Sequence, residues 1–297
     1  MSFNILPENL MNIPHSLVVK IKAIYFTLKS AEKRAMDLLL NDPVFFAQAT
    51  ITEAARRAKC SEATMVRLAR RLGFEGYTEL KQHLKNEDEL NTGRNEVMLY
   101  EGISKDDSYD EIARKVFQSS IQALTDTMNV LDMAEYKRAL DAISKAGKIL
   151  FCGAGDAANV ARSGYQKFIR AGFNASVSTD LDTLLISASH MKENDVVIAI
   201  SHSGRTKSIV DLVKYARTTG ATIISITNYP VSPLAKNSDI ILLTAAFEEH
   251  TKGEIISNRL TELCILESLY INTIMLQEDK VAERFRKSDA ALDINKI

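Results

Sequence analysis

The stretch Val196-Val197-Ile198-Ala199-Ile200-Ser201-His202-Ser203-Gly204-Arg205-Thr206 decides the fold. Five successive apolar residues, four of them β-branched, read as a strand buried on both faces. The turn after it carries three hydroxyls and a glycine, and a helix opens at Thr206. Working outward from it, the segments 148–152, 175–178, 221–227 and 239–244 read as four more strands. Helical patterns fall to about 171, over 181–191, from 206 to about 219, and from 257 to about 276. Strands alternating with helices predict a three-layer α/β domain with a five-stranded, mostly parallel sheet.

The N-terminal third has a different pattern. Apolar residues at helical spacing cover 17–40, with Ser30 placed to cap a second helix there. Asn41-Asp42-Pro43 stops that helix, because Pro43 disfavours helical geometry before it. Thr50-Ile51-Thr52-Glu53 is a capping box for a short helix to about residue 58. Lys59-Cys60-Ser61 makes a tight connection, and Ser61 caps the next helix, which ends at Gly73. Two short helices across such a turn predict an all-α helix-turn-helix domain. Stepped at about 100° per residue, Met65, Val66, Leu68, Ala69 and Leu72 share one arc. Ala63, Thr64, Arg67, Arg70 and Arg71 share the opposite arc. A helix fits the major groove, and arginine pairs bidentately with guanine or neutralises a phosphate. Ser61, Thr64, Arg67, Arg70 and Arg71, with Arg56 on the preceding helix, are therefore the candidate DNA contacts. An amphipathic helix with a solvated arginine face would carry the same pattern.

The chain has 297 residues, 46% of them hydrophobic and 25% charged, and a formal charge of −1. That balance excludes a disordered chain, a collagen-like repeat and a coiled-coil rod. The near-neutral total hides an asymmetry. Residues 15–85 hold 13 Lys and Arg against 7 Asp and Glu, a net of +6. Residues 86–297 hold 24 against 30, a net of −6. The expected division is a DNA-binding domain over 1–85, an acidic linker over 86–110 and an α/β domain over 111–297. No apolar run reaches the roughly 18–20 residues of a membrane helix, and the N-terminus lacks a signal-peptide layout. Three widely spaced cysteines, Cys60, Cys152 and Cys264, fit neither a disulfide framework nor a zinc site. A cytoplasmic protein without membrane partner, metal or cofactor is expected.

Ligands of such sheets bind beyond the carboxyl ends of the strands. A helix N-terminus there offers free N–H groups and a positive dipole end. Ser201, Ser203 and Thr206 can each donate a hydrogen bond, and Gly204 lets the backbone approach an anion. Together they suit a phosphate monoester, although Ser and Thr are also ordinary helix caps. Gly153-Ala154-Gly155 follows the first strand; it fails as a dinucleotide fingerprint and reads as a wall of the same pocket. No catalytic set stands out: Ser201 and His202 are only sequence neighbours. Glu248, Glu249 and His250 form a polar loop that could supply an acid or base, but they read more simply as solvated.

The combination resembles the RpiR-type bacterial transcriptional regulators, which join a helix-turn-helix domain to a sugar isomerase (SIS) domain. Ser61-Glu62-Ala63-Thr64-Met65-Val66-Arg67 with Leu72-Gly73-Phe74 and Gly76-Tyr77 carries the first half of the resemblance. Ala199 to Thr206 and Ser232-Pro233-Leu234-Ala235 carry the second. The resemblance implies a homodimer or homotetramer that binds operator double-stranded DNA, usually as a repressor, and senses a phosphorylated sugar. It implies that Ser201, Ser203 and Thr206 hold the phosphate, that Gly153 and Gly155 shape the wall, and that Ser257 and Arg259 lie near the pocket. Three positions depart from the family pattern: Ala157, Asp182 and Leu184 stand where many members carry Ser, His and Gln. The usual sugar contacts are thereby altered, with Asp182 placed to accept bonds from the sugar hydroxyls. The rival class is an enzyme, a phosphosugar isomerase or related SIS enzyme with an added helical module. A third is a module whose helices contact protein.

Overall fold

The structure is a computed structural model that describes residues 13, 17, 20–21, 24–25, 27–91, 103, 106–245 and 258–295. Val18, most of the acidic linker, Glu248, Glu249, His250 and Ser257 lie outside the described residues. The described residues divide into two compact units, one ending at Val130 and including Ala245, the other formed by 131–244 and 258–295.

In the first unit, α1 (Ser30–Asn41) starts one residue earlier than a Ser30 cap requires. Its N-terminus is closed instead by Glu32, whose Oε2 accepts the Lys29 N–H at 3.1 Å. Asn41-Asp42-Pro43 ends α1 but also begins α2 (Pro43–Gln48). Asp42 caps α2 by accepting the Phe45 N–H at 3.1 Å, and Pro43 occupies the first turn, where its missing N–H costs nothing. α3 (Ile51–Arg57) has the expected capping box: the Glu53 N–H donates to Thr50 Oγ1 and the Thr50 N–H to Glu53 Oε2. α4 (Glu62–Arg71) is capped by Ser61, whose Oγ accepts the Thr64 N–H. α5 (Tyr77–Asn91) runs beyond residue 85. Tyr77 is core, its hydroxyl donating to the Phe46 carbonyl at 3.0 Å and its ring 5.3 Å from that of Phe46. α6 (Tyr109–Val130) groups with this unit.

The second unit opens with α7 (Met133–Lys145), capped by Asp132. Then follow β1 (Ile149–Gly153), α8 (Asp156–Arg170), β2 (Ala175–Val177), α9 (Leu181–Ser189), β3 (Val196–Ile200) and α10 (Lys207–Thr218). β4 (Thr222–Thr227), α11 (Pro233–Lys236), β5 (Ile240–Leu243), α12 (Asn258–Met275) and α13 (Glu278–Leu292) complete it. α11 and α13 have no counterpart in the sequence reading. The five strands lie in the order β2-β1-β3-β4-β5, and every pairing is parallel. Alternate strand residues feed two cores, as a sheet covered on both faces requires. Ile149, Phe151, Ile198 and Ile224 pack under α7, α8 and α12. Leu150, Cys152, Val197 and Ile223 pack under α9 and α10. The chain leaves β1 towards β2 on one side and resumes at β3 on the other. The loops after β1 and β3 therefore flank the crevice where the strand order reverses.

Candidate functional sites: a phosphate cradle and an arginine-faced helix

The loop after β3 is held from below. The Ser201 N–H donates to the Ile226 carbonyl at 3.1 Å, and the His202 carbonyl accepts from the Asn228 N–H and from Thr227 Oγ1. The Leu234 N–H donates to the Gly204 carbonyl at 2.9 Å. Gly204 has a φ of +61°, and a Cβ there would collide with the side chain of Ser232. Ser232 in turn caps α11 by accepting the Ala235 N–H. The Ser-Pro-Leu-Ala motif is thus a floor beneath the glycine, a role that no local pattern in either segment reveals.

On this floor two of the expected hydroxyls meet, those of Ser201 and Thr206. Ser201 is buried, and its Oγ lies 3.2 Å from Thr206 Oγ1. Ser203 is half-buried, and its Oγ accepts the Arg205 N–H at 3.3 Å. Thr206 occupies the N-cap of α10 without making a side-chain capping bond. The first N–H groups of a helix have no partner within it, so an uncapped N-terminus suits an anion. Lys207 opens α10, and its hydrogen bond to the Asp211 carboxylate holds the ammonium charged to higher pH than usual. The turn therefore offers hydroxyl donors and helix-end amides.

The wall after β1 is equally specific. Gly153 is the register partner of Ile200, which brings the two loops side by side. A Cβ on Gly153 would lie 2.6 Å from the Ala157 carbonyl oxygen, so only glycine lets α8 start this close to the strand. Gly155 stands at the N-cap of α8. Arg259, in the first turn of α12, donates to Asp156 Oδ2 at 3.1 Å, bringing the first turns of α12 and α8 together. Asp182 is exposed in the first turn of α9, beyond β2 and two strands from β3. Leu184 corrects an expectation: it is 3% exposed and belongs to the core beneath α9, not to the sugar side of a pocket. Its helix turns it inward, and a leucine there gains by burial.

In the first unit, α3 and α4 form the two helices of a helix-turn-helix. Arg34 of α1 clasps the turn between them, donating to the Lys59 carbonyl at 2.7 Å and to the Ala58 carbonyl at 3.3 Å. Thr52 Oγ1 donates to Glu62 at 2.6 Å, which accounts for the carboxylate in the first turn of α4. Ser61, Arg67, Arg70 and Arg71 are exposed on α4, and Arg56 is exposed on α3. Thr64 is not exposed as its arc predicts: it is 3% exposed. Its hydroxyl lies 2.9 Å from Ser61 Oγ and accepts from Arg67 Nη2 at 3.0 Å. The capping turn folds Thr64 inward, because a first-turn hydroxyl finds its partners in the cap.

The three arginines differ. Arg71 reaches back to Glu32, which is 6% exposed, with Nη1–Oε2 at 3.1 Å, and to Thr27 Oγ1 at 2.6 Å. Arg70 donates from Nε to the Glu75 carbonyl. Arg67, with 61% of its side chain exposed, keeps only a 3.9 Å approach to Glu32 and its bond to Thr64. Glu32 was not singled out from the sequence. A glutamate three residues into a helix reads as a solvated cap, and its arginine partner lies 39 positions away.

Two family models match the chain. One, the helix-turn-helix domain of the rpiR family, covers residues 15–91; the other, the SIS domain, covers 142–272. The chain belongs to the RpiR family of transcriptional regulators with a SIS domain. This RpiR-family regulator is 29% identical over 277 residues to an HTH-type transcriptional regulator of Thermotoga maritima, spanning 93% of this chain and 98% of that protein. It is 28% identical over 262 residues to the HTH-type transcriptional regulator RpiR of Escherichia coli K12, spanning 88% of this chain and 87% of that protein. Among solved structures, it shares its fold with the Vibrio vulnificus NanR protein complexed with ManNAc-6P. That likeness has a TM-score of 0.59 at 24% identity over 93% of this chain and 97% of that one. The sugar isomerase domain of an RpiR transcription factor from Sphaerobacter thermophilus gives 0.56 at 22% identity over 60% and 98%. Among the described residues, no helix is long and apolar enough to cross a membrane.

Proposed function

We propose that this regulator binds operator DNA through α4, as a repressor of sugar or sugar-phosphate metabolism, and that a phosphosugar bound at the SIS domain modulates that binding. The observation that carries the reading is the turn after β3: the Ser201 and Thr206 hydroxyls meet at the uncapped N-terminus of α10, with Ser203 in the same turn, beside the crevice where the strand order reverses. The ManNAc-6P bound by the NanR neighbour supports a phosphosugar as the ligand class. Gly153 and Gly155 shape its wall, Arg259 stands at its rim, Asp182 accepts bonds from its hydroxyls, and Ser257 joins them. On DNA, Arg67 and Arg56 make the outward contacts, Ser61 and Arg70 flank them, and Thr64 and Arg71 orient the helix. The DNA-binding domain ends with α5, and the divisions read from the sequence at 85 and 110 move to helix ends. Working as a homodimer or homotetramer in the cytoplasm accords with the exposed apolar side chains of Phe117, Ile121 and Met128 along α6.

Ligand sensing requires different affinities for the DNA-competent and DNA-incompetent states. The test screens a phosphosugar panel including ManNAc-6P for a rise in melting temperature, then repeats an operator gel shift with the best ligand. A ligand that raises the melting point and changes operator affinity supports the reading. Unchanged operator affinity at saturating ligand removes it, and turnover of the phosphosugar would replace it with the enzyme reading.

A further inference from the structure

Glu262, in the second turn of α12, is 1% exposed, and its Oε1 has no hydrogen-bond partner. A buried carboxylate without hydrogen bonds is among the most unfavourable groups a fold can hold. Its surroundings are defined by two helices that run side by side in the same direction. Arg259 of α12 meets Asp156 of α8 at one end, at 3.1 Å, and Glu267 of α12 meets Lys167 of α8 further along, at 2.7 Å. Leu266 of α12 lies against Gly164 of α8 between them, where a Cβ would come within 3.1 Å of its Cδ1. Glu262 thus sits in the joint between the N-terminal turns of α8 and α12, flanked below by Ile265 and Leu266 of the core. Among the described residues, the charged groups acting on it are Arg259 from its own helix and Asp156 from α8. Arg259 is engaged by Asp156, and Glu262 Oε1 accepts no hydrogen bond from it.

We propose that the docking of α12 onto α8 is gated by a proton on Glu262: the two N-terminal turns pack together while the carboxyl is neutral and loosen when it ionises. Desolvation pushes the Glu262 carboxyl up to about 8, with Asp156 adding to the rise and Arg259 opposing it. The unfolded chain holds this group near the ordinary carboxylate value of about 4.3. Between these values the folded state binds more protons than the unfolded state, so stability falls as pH rises through that window and is level outside it. The turns that loosen carry Asp156 and Arg259 at the carboxyl edge of the sheet, next to Gly153 and Gly155. A pH-dependent grip on ligand follows from this, and that last step alone rests on the phosphosugar reading of the edge.

The experiment compares the full chain with Glu262→Gln, without ligand. Amide exchange in 258–265, corrected for intrinsic rates, is followed from about pH 5.5 to about pH 8.5. The wild type is expected to lose protection there by about tenfold more than the sheet does, while the glutamine variant does not. Identical pH dependence in the two proteins overturns the proposal. Should the variant fail to fold, infrared spectra of the wild type decide: a neutral carboxylic acid band at neutral pH that fades in alkali supports it, and its absence overturns it. Failure of every phosphosugar to bind would overturn the ligand reading and leave this joint untouched.

Discussion

The N-termini of α4 and α10 solve the same problem in opposite ways. At α4, Ser61 accepts the Thr64 N–H, the two hydroxyls face each other, and Arg67 donates to Thr64. That end is closed, and what it presents outward is side chains. At α10, Thr206 makes no capping bond and turns its hydroxyl towards Ser201. That end is open, and what it presents is a helix end with the Thr206 and Ser201 hydroxyls side by side. Long cationic side chains on a closed helix can reach into a groove. Unsatisfied amides on an open one can hold a small anion in place. The same residue types, Ser and Thr at a helix start, are thus assigned to different chemistry by which groups they bond.

The comparison breaks most sharply at Gly204. Gly204→Ala adds a Cβ into Ser232 at a positive φ, and the second unit is expected to lose about 3 kcal/mol in urea unfolding. Ligand-induced stabilisation should vanish with it; an unperturbed melt would mean that the floor yields. Next comes Arg71→Ala, which strands the buried Glu32. A loss of about 2 kcal/mol in the first unit, above the range of a surface pair, would place Arg71 among the orienting groups. Arg67→Ala should leave the melting temperature unchanged and weaken operator binding by about 1–3 kcal/mol in a gel-shift titration. Unchanged affinity would remove α4 from the DNA. Ser61→Ala should cost about 1 kcal/mol by opening the cap of α4. Ser203→Ala, which gives up only a 3.3 Å bond at a half-buried position, should stay within about 0.5 kcal/mol without ligand. Its expected effect is on phosphosugar affinity. A Ser203→Ala penalty as large as that of Ser61→Ala would erase the distinction between the two helix ends.

Much of the architecture was legible before any coordinates. All five strands stand within a residue or two of the segments read as strands, β3 most plainly because a strand buried on both faces carries an unbroken apolar run. The capping signals at Thr50 and Ser61 act as read, since a cap is a contact between residues three apart. The strand-turn-helix at 196–206 was legible for the same reason: a strand, a glycine and three hydroxyls within eleven residues form one local unit. The misreadings have separate causes. α2 was hidden because Asp-Pro both stops and starts a helix. Thr64 was placed outward by a wheel that ignores the cap. Leu184 was set against the sugar although α9 turns it into the core.

The sequence alone determined the order of the strands, the residue types at the end of β3 and the charge carried by α4, because each depends on neighbours a few residues apart. The tertiary structure decided which arginine is bound and which is open, since Glu32 lies 39 positions from Arg71. It decided that Ser232 supports Gly204, and that Glu262 is enclosed between α8 and α12. A side chain's freedom depends on what the rest of the chain brings against it, and burial and pairing of that kind are set only when distant segments meet.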